Sequence, residues 1–408
     1  MSNDTARYVL ATYELEDRPG ALEQRAESIA VGLTVGSWTD LPAAKQASMQ
    51  PYRGVVERIE VQEELAADRV RARITVGYPV ANLVPSIAAL LTTVFGKLSM
   101  DGVIRLVDLR LPATYVRQFP GPKLGVPGVR KRLGVDERPL VMSIFKSCIG
   151  QTLDELTQHF REQALGGVDL IKDDEIFFSE TLAPPEARVQ RFREAAADIA
   201  DELGKPVLYA VNLSGPIFDL RDRARRLVEL GASALLLNVV AFGYDALQHL
   251  AADPEVAVPI LAHPAVSGAL YGAPRHGIAS HIVLGQLMRL AGADVAIFPS
   301  PYGSVTLPVE EGLALVAALR ETNGLRTVLP APSAGVHPGL VPNIVRDFGH
   351  DVILNAGGAI HGHPQGATGG GRAFLAAAEA VAKGVPLAVA AEASEPLRLA
   401  LEKWGARA

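Results

Sequence analysis

Gly166–Glu175 reads Gly-Gly-Val-Asp-Leu-Ile-Lys-Asp-Asp-Glu, an apolar run that stops in one lysine and three acids. On a buried strand, charges at the C-terminal end sit where the sheet meets its loops, which makes this stretch a candidate cation site. Side chains alternate along a strand, so Lys172 and Asp174 converge, Glu175 joins them where the strand bends, and Asp173 points away. Two carboxylates are hard oxygen ligands suited to Mg²⁺. A protonated lysine would repel that ion, so two readings of Lys172 stand. It is either an ion-pair partner of Asp174 or Glu175, or a neutral amine that adds CO₂ and becomes a third anionic oxygen ligand.

Other residues with chemical potential follow in order. His263 precedes Pro264, and His361-Gly-His363 invites a zinc reading that lacks cysteines or a third nearby histidine. Pro-Ser-Ala-Gly-Val at 332–336 and Asn-Ala-Gly-Gly-Ala at 355–359 are glycine-containing loops whose N–H groups can approach a phosphate closely. Ser333, Gly335, Gly357 and Gly358 are assigned to one phosphate. Gly369-Gly-Gly371 is read instead as opening the last helix.

These residues need a scaffold. Alternating runs at 7–15, 54–62, 70–78 and 103–111, with helical periods at 21–31 and 82–94, predict an N-terminal α+β unit with an antiparallel, ferredoxin-like sheet. The break Phe119-Pro-Gly-Pro-Lys123 marks the boundary, giving domains 1–125 and 126–408. Apolar runs then recur at 140–145, 168–171, 207–211, 234–240, 258–262, 294–298, 327–331 and 352–354, separated by amphipathic stretches. About eight β-then-α units in about 250 residues predict a (β/α)₈ TIM barrel, with the active site on the loops after its strands. Lys146, Lys172–Glu175, Asn212, Asn238, His263, Ser300, Ser333 and Asn355 fall at those strand ends. The two asparagines at 212 and 238 read more simply as loop or cap residues.

Composition narrows the function classes. The 408 residues are 49% hydrophobic with a net charge of −6, which allows two domains with a large core and argues against nucleic acid as a partner. The single cysteine, Cys148, excludes an internal disulfide and suits a reducing compartment. The N-terminus has no cationic-then-apolar signal pattern, and no apolar run approaches the roughly 20 residues of a membrane span, so a cytoplasmic protein is expected.

The decapeptide 166–175 resembles the activation motif of the RuBisCO superfamily. Segments 34–41, 90–96, 139–146, 261–268, 333–339 and 355–372 are similar to further family segments in the family's order. In detail the chain is most similar to the RuBisCO-like enolases of methionine salvage, which act on 2,3-diketo-5-methylthiopentyl-1-phosphate. The resemblance implies Mg²⁺ held by carbamylated Lys172, Asp174 and Glu175, and a homodimer in which Ser37 and Trp38 of one subunit cap the barrel of the other. It also implies Lys97, in Phe95-Gly-Lys97, as the base that removes a proton from C1. A lysine can act so near pH 7 if its pKa falls by about 3 units from roughly 10.4. Lys146 is the competing base, and with Lys123 it could orient substrate or hold negative charge.

Bisphosphate carboxylation is not expected. The carboxylases carry a lysine in the loop after the sixth barrel strand, where this chain has Pro299-Ser-Pro-Tyr-Gly-Ser-Val305, and an arginine where it has Pro264. The alternatives are an isomerase or decarboxylase of another sugar phosphate through the same enolate, or a non-catalytic binding protein on the same fold.

Overall fold

The structure is a computed structural model that describes residues 7–36, 41–178, 181–213, 215–305 and 307–406. The first unit contains strands β1 (Tyr8–Asp17), β2 (Val55–Leu65), β3 (Arg69–Pro79) and β4 (Ile104–Arg110). They form a sheet in the order β4-β1-β3-β2 with every pair antiparallel. Helix Leu22–Gly32 covers one face through Leu22, Ala26, Ile29 and Ala30, which recur at helical spacing. The second crossover is shorter than the periodicity predicts. It is a regular helix over Ile87–Leu91 that widens into a π-turn over Thr92–Gly96, just before Lys97.

The second unit contains β5 (Leu140–Ile144), β6 (Leu170–Lys172), β7 (Leu208–Asn212), β8 (Ala234–Asn238) and β9 (Ile260–His263). After the two-residue β10 (Gly277–Ile278) come β11 (Val295–Pro299), β12 (Leu329–Ser333) and β13 (Ile353–Ala356). Eight of these strands, all parallel, run in the order β12-β11-β9-β8-β7-β6-β5-β13. At the seam between β12 and β13, the Asn355 side-chain amide donates to the Ser333 hydroxyl at 3.0 Å.

Period-two alternation builds two cores from the same strands. Leu140, Met142, Leu170, Leu208, Leu236, Leu261, Val295 and Leu329 fill the barrel interior, and Val126, Val129 and Leu133 of helix Gly125–Leu133 pack against that cluster. Intervening residues such as Val141, Ile171, Val211 and Leu237 face the surrounding helices. Local signals fix the helix ends. Thr152 and Glu155 form a reciprocal capping box that starts helix Leu153–Leu165.

Two features depart from the sequence reading. β10, which carries no strand signal of its own length, pairs parallel to β4 and extends the N-terminal sheet with a strand from the barrel segment. Gly369–Gly371 lie inside helix Gly366–Ala382, with two more helices after it. A Cβ at Gly371 would sit 2.8 Å from the Gly166 backbone, so the glycines allow close packing and do not open the last helix.

At the N-terminal end of the barrel strands, Arg138 donates two hydrogen bonds of 2.7 Å to the buried Asp169 carboxylate. Lys205 and the Val141 amide add bonds of 2.9 and 2.8 Å. Burial alone would raise the Asp169 carboxyl, and the Arg138 bonds outweigh it and hold the group below its ordinary value. A depressed carboxyl contributes stability that is fully present above the unfolded value of about 3.9 and is lost as pH falls through the folded one. Asp169→Asn is therefore expected to lower unfolding free energy by about 3 kcal/mol at pH 7 in urea titrations, with the gap to wild type narrowing below about pH 4. A gap independent of pH would assign the loss to packing instead.

Candidate active site

β6 delivers the site. Its ladder continues past Lys172, since the Asp173 amide donates to the Ala210 carbonyl at 3.0 Å, so the three residues from 172 to 174 alternate as strand residues do. Asp173 faces outward between barrel and helix Pro185–Leu203, where it accepts from Arg188 at 2.8 Å, from the Tyr209 hydroxyl at 2.7 Å and from the Asn212 amide at 2.9 Å. Arg188 lies 4.2 Å over the Phe177 ring and is fully buried. Behind the candidate ligands there is thus an ion pair sealed from water.

Lys172 and Asp174 face the barrel mouth. The Lys172 ammonium is 0% exposed, donates to the Asp173 carbonyl at 2.9 Å and lies 3.6 Å from Glu175 Oε2. Burial pulls its pKa down, while Glu175 and Asp174 work against that pull. Asp174 is paired with the half-exposed Lys146 at 2.5 Å, not with Lys172. Glu175 reaches across to His263, with Nε2 at 3.3 Å from Oε2. The Ala265 amide donates to His263 Nδ1 at 3.2 Å, so the ring proton resides on Nε2 and points at Glu175. Burial first, and then the nearby Lys172 charge, push His263 well below its ordinary value.

Asparagines at the ends of β7 and β8 hold the main chain that carries the acids. The Asn212 side chain donates to the carbonyls of Asp174, Glu175 and Phe177 at 3.2–3.4 Å, and Asn238 donates to the Glu175 carbonyl at 3.1 Å. The sequence reading treated both as loop or cap residues; their signal was position, each being the last residue of a barrel strand. Arg188 and Tyr209 gave no signal, since nothing local in sequence marks the partners of Asp173.

A cavity of about 280 Å³ at the barrel mouth brings together Lys146, Glu175, His263, Ser333, Gly335, Gly357 and Gly358. A Cβ at Gly357 would meet the Lys146 side chain at 2.8 Å, whereas one at Gly358 would meet nothing within 4 Å. Ala334 and Gly335 both adopt positive φ, which turns the loop after β12 toward the opening.

Two expectations, Lys123 and Lys97, do not meet at this cavity. Lys123, expected near Lys146, donates instead to the carbonyls of Asp253 and of Val256, the latter at 2.6 Å. That turn precedes β9, so Lys123 serves the N-terminal end of the barrel, opposite the site, and cannot orient substrate there. Lys97 is exposed on the N-terminal unit and is not among the residues lining the cavity. Ser37 and Trp38 lie outside the described residues.

His361 and His363 do not form a metal pair, since the Nε2 of each is bonded to a different carbonyl at 2.9 Å, Ile144 and Pro396 respectively. Burial, reinforced by Asp174 and Asp173, pushes the Cys148 thiol up to about 11, which leaves it no role as a nucleophile at neutral pH. Among the described residues no three His, Cys, Asp or Glu side chains cluster to hold a metal. Asp174 and Glu175 supply two carboxylates, and a third anionic ligand at this place would have to come from Lys172.

Comparison with known proteins agrees over nearly the whole chain. Residues 3–115 match the ribulose bisphosphate carboxylase large chain, N-terminal domain, and residues 125–298 and 311–404 match its catalytic domain. The chain belongs to the RuBisCO large-chain family. Within that family it is 51% identical over 397 residues to the 2,3-diketo-5-methylthiopentyl-1-phosphate enolase of Bacillus velezensis, covering 97% of this chain and 98% of that one. The crystal structure of a rubisco-like protein from Alicyclobacillus acidocaldarius matches with a TM-score of 0.95 and 60% identity, covering 98% of this chain and 100% of that one. A dimeric archaeal Rubisco from Hyperthermus butylicus matches with a TM-score of 0.87 and 30% identity, over 98% of this chain and 96% of that one.

The Asp173–Arg188 pair is open to direct test. Removing one partner of a buried ion pair leaves an uncompensated charge, so Arg188→Met is expected to cost about 3–5 kcal/mol of unfolding free energy in urea at pH 7. Combining it with Asp173→Asn should recover a large part of that loss. A single-variant cost below about 1 kcal/mol would show that the pair does not brace β6.

Proposed function

We propose that this chain is the methionine-salvage enolase that converts 2,3-diketo-5-methylthiopentyl-1-phosphate to 2-hydroxy-3-keto-5-methylthiopentenyl-1-phosphate. The observation that carries the reading is a near-full-length relative of that name at 51% identity, combined with Lys172, Asp174 and Glu175 gathered at one strand end. The reaction is a proton shift. The bond between C1 and one of its hydrogens breaks, its electron pair forms the C1–C2 double bond, and the C2 oxygen takes up a proton.

The donor set fits a hard divalent cation. The buried amine of Lys172, once neutral, adds CO₂, forming an N–C bond and releasing a proton, and so matches Asp174 and Glu175 as an oxygen ligand. When bound there, Mg²⁺ supplies Lewis-acid polarisation of the adjacent carbonyl oxygens. The remaining work falls to side chains. His263 Nε2–H orients Glu175, and Lys146 Nζ is assigned to the oxygen on which negative charge develops. The Ser333 hydroxyl and the N–H groups of Gly335, Gly357 and Gly358 are assigned to the phosphate.

Lys97 Nζ takes the C1 proton. Being exposed and not among the residues lining the cavity of its own chain, it would act in the site of a second copy. The N-terminal domain then caps the neighbouring barrel in a homodimer, and that contact desolvates the amine, as a lysine base requires. Dimeric organisation of a family member supports this arrangement. The loop Pro299–Val305 has no lysine and Pro264 follows His263, so carboxylation of a bisphosphate is not expected. No helix among the described residues is long and apolar enough to cross a membrane. A cytoplasmic location fits an enzyme with a single, unpaired cysteine.

Two experiments test the assignment. Lys97→Ala should abolish solvent-deuterium exchange at C1 together with turnover, by about 10³-fold or more, whereas Lys146→Ala should slow turnover while leaving measurable exchange. Wild-type exchange in Lys97→Ala would exclude it as the base. Mixing inactive Lys97→Ala with inactive Lys172→Ala subunits should restore about a quarter of wild-type activity, because half of the dimers are then hybrid and each hybrid has one intact site. No recovery in mixtures shown to contain hybrids would place both lysines in one chain's site.

A further inference from the structure

The cavity at the barrel mouth is chemically two-sided. The residues lining it from β5, β6 and the end of β9 include Lys146, Glu175 and His263, and those after β12 and β13 are Ser333, Ala334, Gly335, Gly357 and Gly358. Between them, from the turn after β9 to the loop after β11, the lining is Pro264, Ile297, Phe298, Pro299 and Val305, without one polar side chain. Ile297 and Phe298 are buried, but Val305 is 58% exposed.

That exposure does not come from a loose loop. The Ser304 amide donates to the Ala334 carbonyl at 2.8 Å, and the Tyr302 hydroxyl is bonded to Asp347. A Cβ at Gly303 would come within 1.7 Å of the Ala334 oxygen, so only glycine allows the approach. An anchored loop is holding a β-branched apolar side chain in the open. The turn after β9 repeats the pattern, because Val266, two residues beyond Pro264, is 63% exposed with φ +73. A β-branched residue in the left-handed region is a strained outlier of the kind concentrated at functional sites.

We propose that Pro264, Pro299 and Val305 form an apolar subsite that receives the methylthio end of the substrate. The inference rests on the enolase reading above and extends it to specificity. The substrate is amphipathic in the same sense as the cavity: a phosphate at one end, two carbonyls in the middle and an uncharged thioether at the other. With the phosphate on the glycine loops and the carbonyls at the charged wall, the apolar wall is what remains for the tail.

The test compares kcat/KM for the natural diketone phosphate with that for 2,3-dioxobutyl phosphate, which keeps the phosphate and both carbonyls but lacks the thioether. Wild type is expected to prefer the longer compound by about 100-fold, the range that a few apolar groups supply. Val305→Asp and Pro264→Ser should each bring that ratio down about tenfold, with Val305→Ala falling between wild type and the aspartate variant. A ratio unchanged in both variants while they remain folded dimers overturns the subsite. Dissociation of Val305→Asp to monomers with the ratio retained also overturns it, by assigning the exposed valine to a subunit contact. If wild type enolises neither compound, the enolase reading fails and takes the subsite with it. If wild type enolises both and the variants do not change its preference, the subsite alone fails.

Discussion

Taking the Lys172 amine completely out of water, at the end of a strand whose next residues are acids, is the constraint from which the rest of the site follows. A buried ammonium is costly unless paired, and Glu175 at 3.6 Å with the Asp173 carbonyl at 2.9 Å partly offset that cost. The amine and two carboxylates are kept at close quarters by elements that do not themselves face the cavity. Asp173 is fixed by Arg188 and Tyr209, and the main chain of Asp174 and Glu175 by two asparagines. Strand alternation thus splits Lys172, Asp173 and Asp174 into an inward-facing pair and an outward-facing anchor, and the bend after them adds Glu175 to the inward set.

Much of this was legible in the sequence. The repeated apolar runs located all eight barrel strands, and an abrupt change from apolar to charged residues marked the candidate ligands at the end of the second. The C-terminal strand ends were read one or two residues short at six of the eight positions. Lys172, Asn212, His263 and Ser333 are polar, yet each is still a strand residue. An apolar run therefore stops where chemistry begins, while the hydrogen-bond ladder goes on to hold the polar residue in place.

What escaped the sequence has physical reasons. Arg188 is fifteen residues from Asp173 and reaches it only because helix Pro185–Leu203 packs on the barrel. Lys123 was grouped with Lys146 as a lysine that could orient substrate or hold negative charge. Its ammonium is bonded to the Asp253–Val256 turn at the far end of the barrel. A charge in the sequence gives its sign but not which end of a barrel it reaches, and glycine runs are equally ambiguous. Those at 357 and 358 border the cavity, whereas those at 370 and 371 let a helix approach Ile360 and Gly166.

The two-residue β10 bears on solubility as well as on architecture. By pairing with Arg105 and Leu106 it covers part of β4, one border of the N-terminal sheet, and leaves β2 as the other. β2 carries Glu57, Arg58, Glu60, Glu63 and Glu64, charges that oppose strand addition by another molecule. A sheet with one border partly covered by its own chain and the other guarded by charge is a poor template for fibril growth.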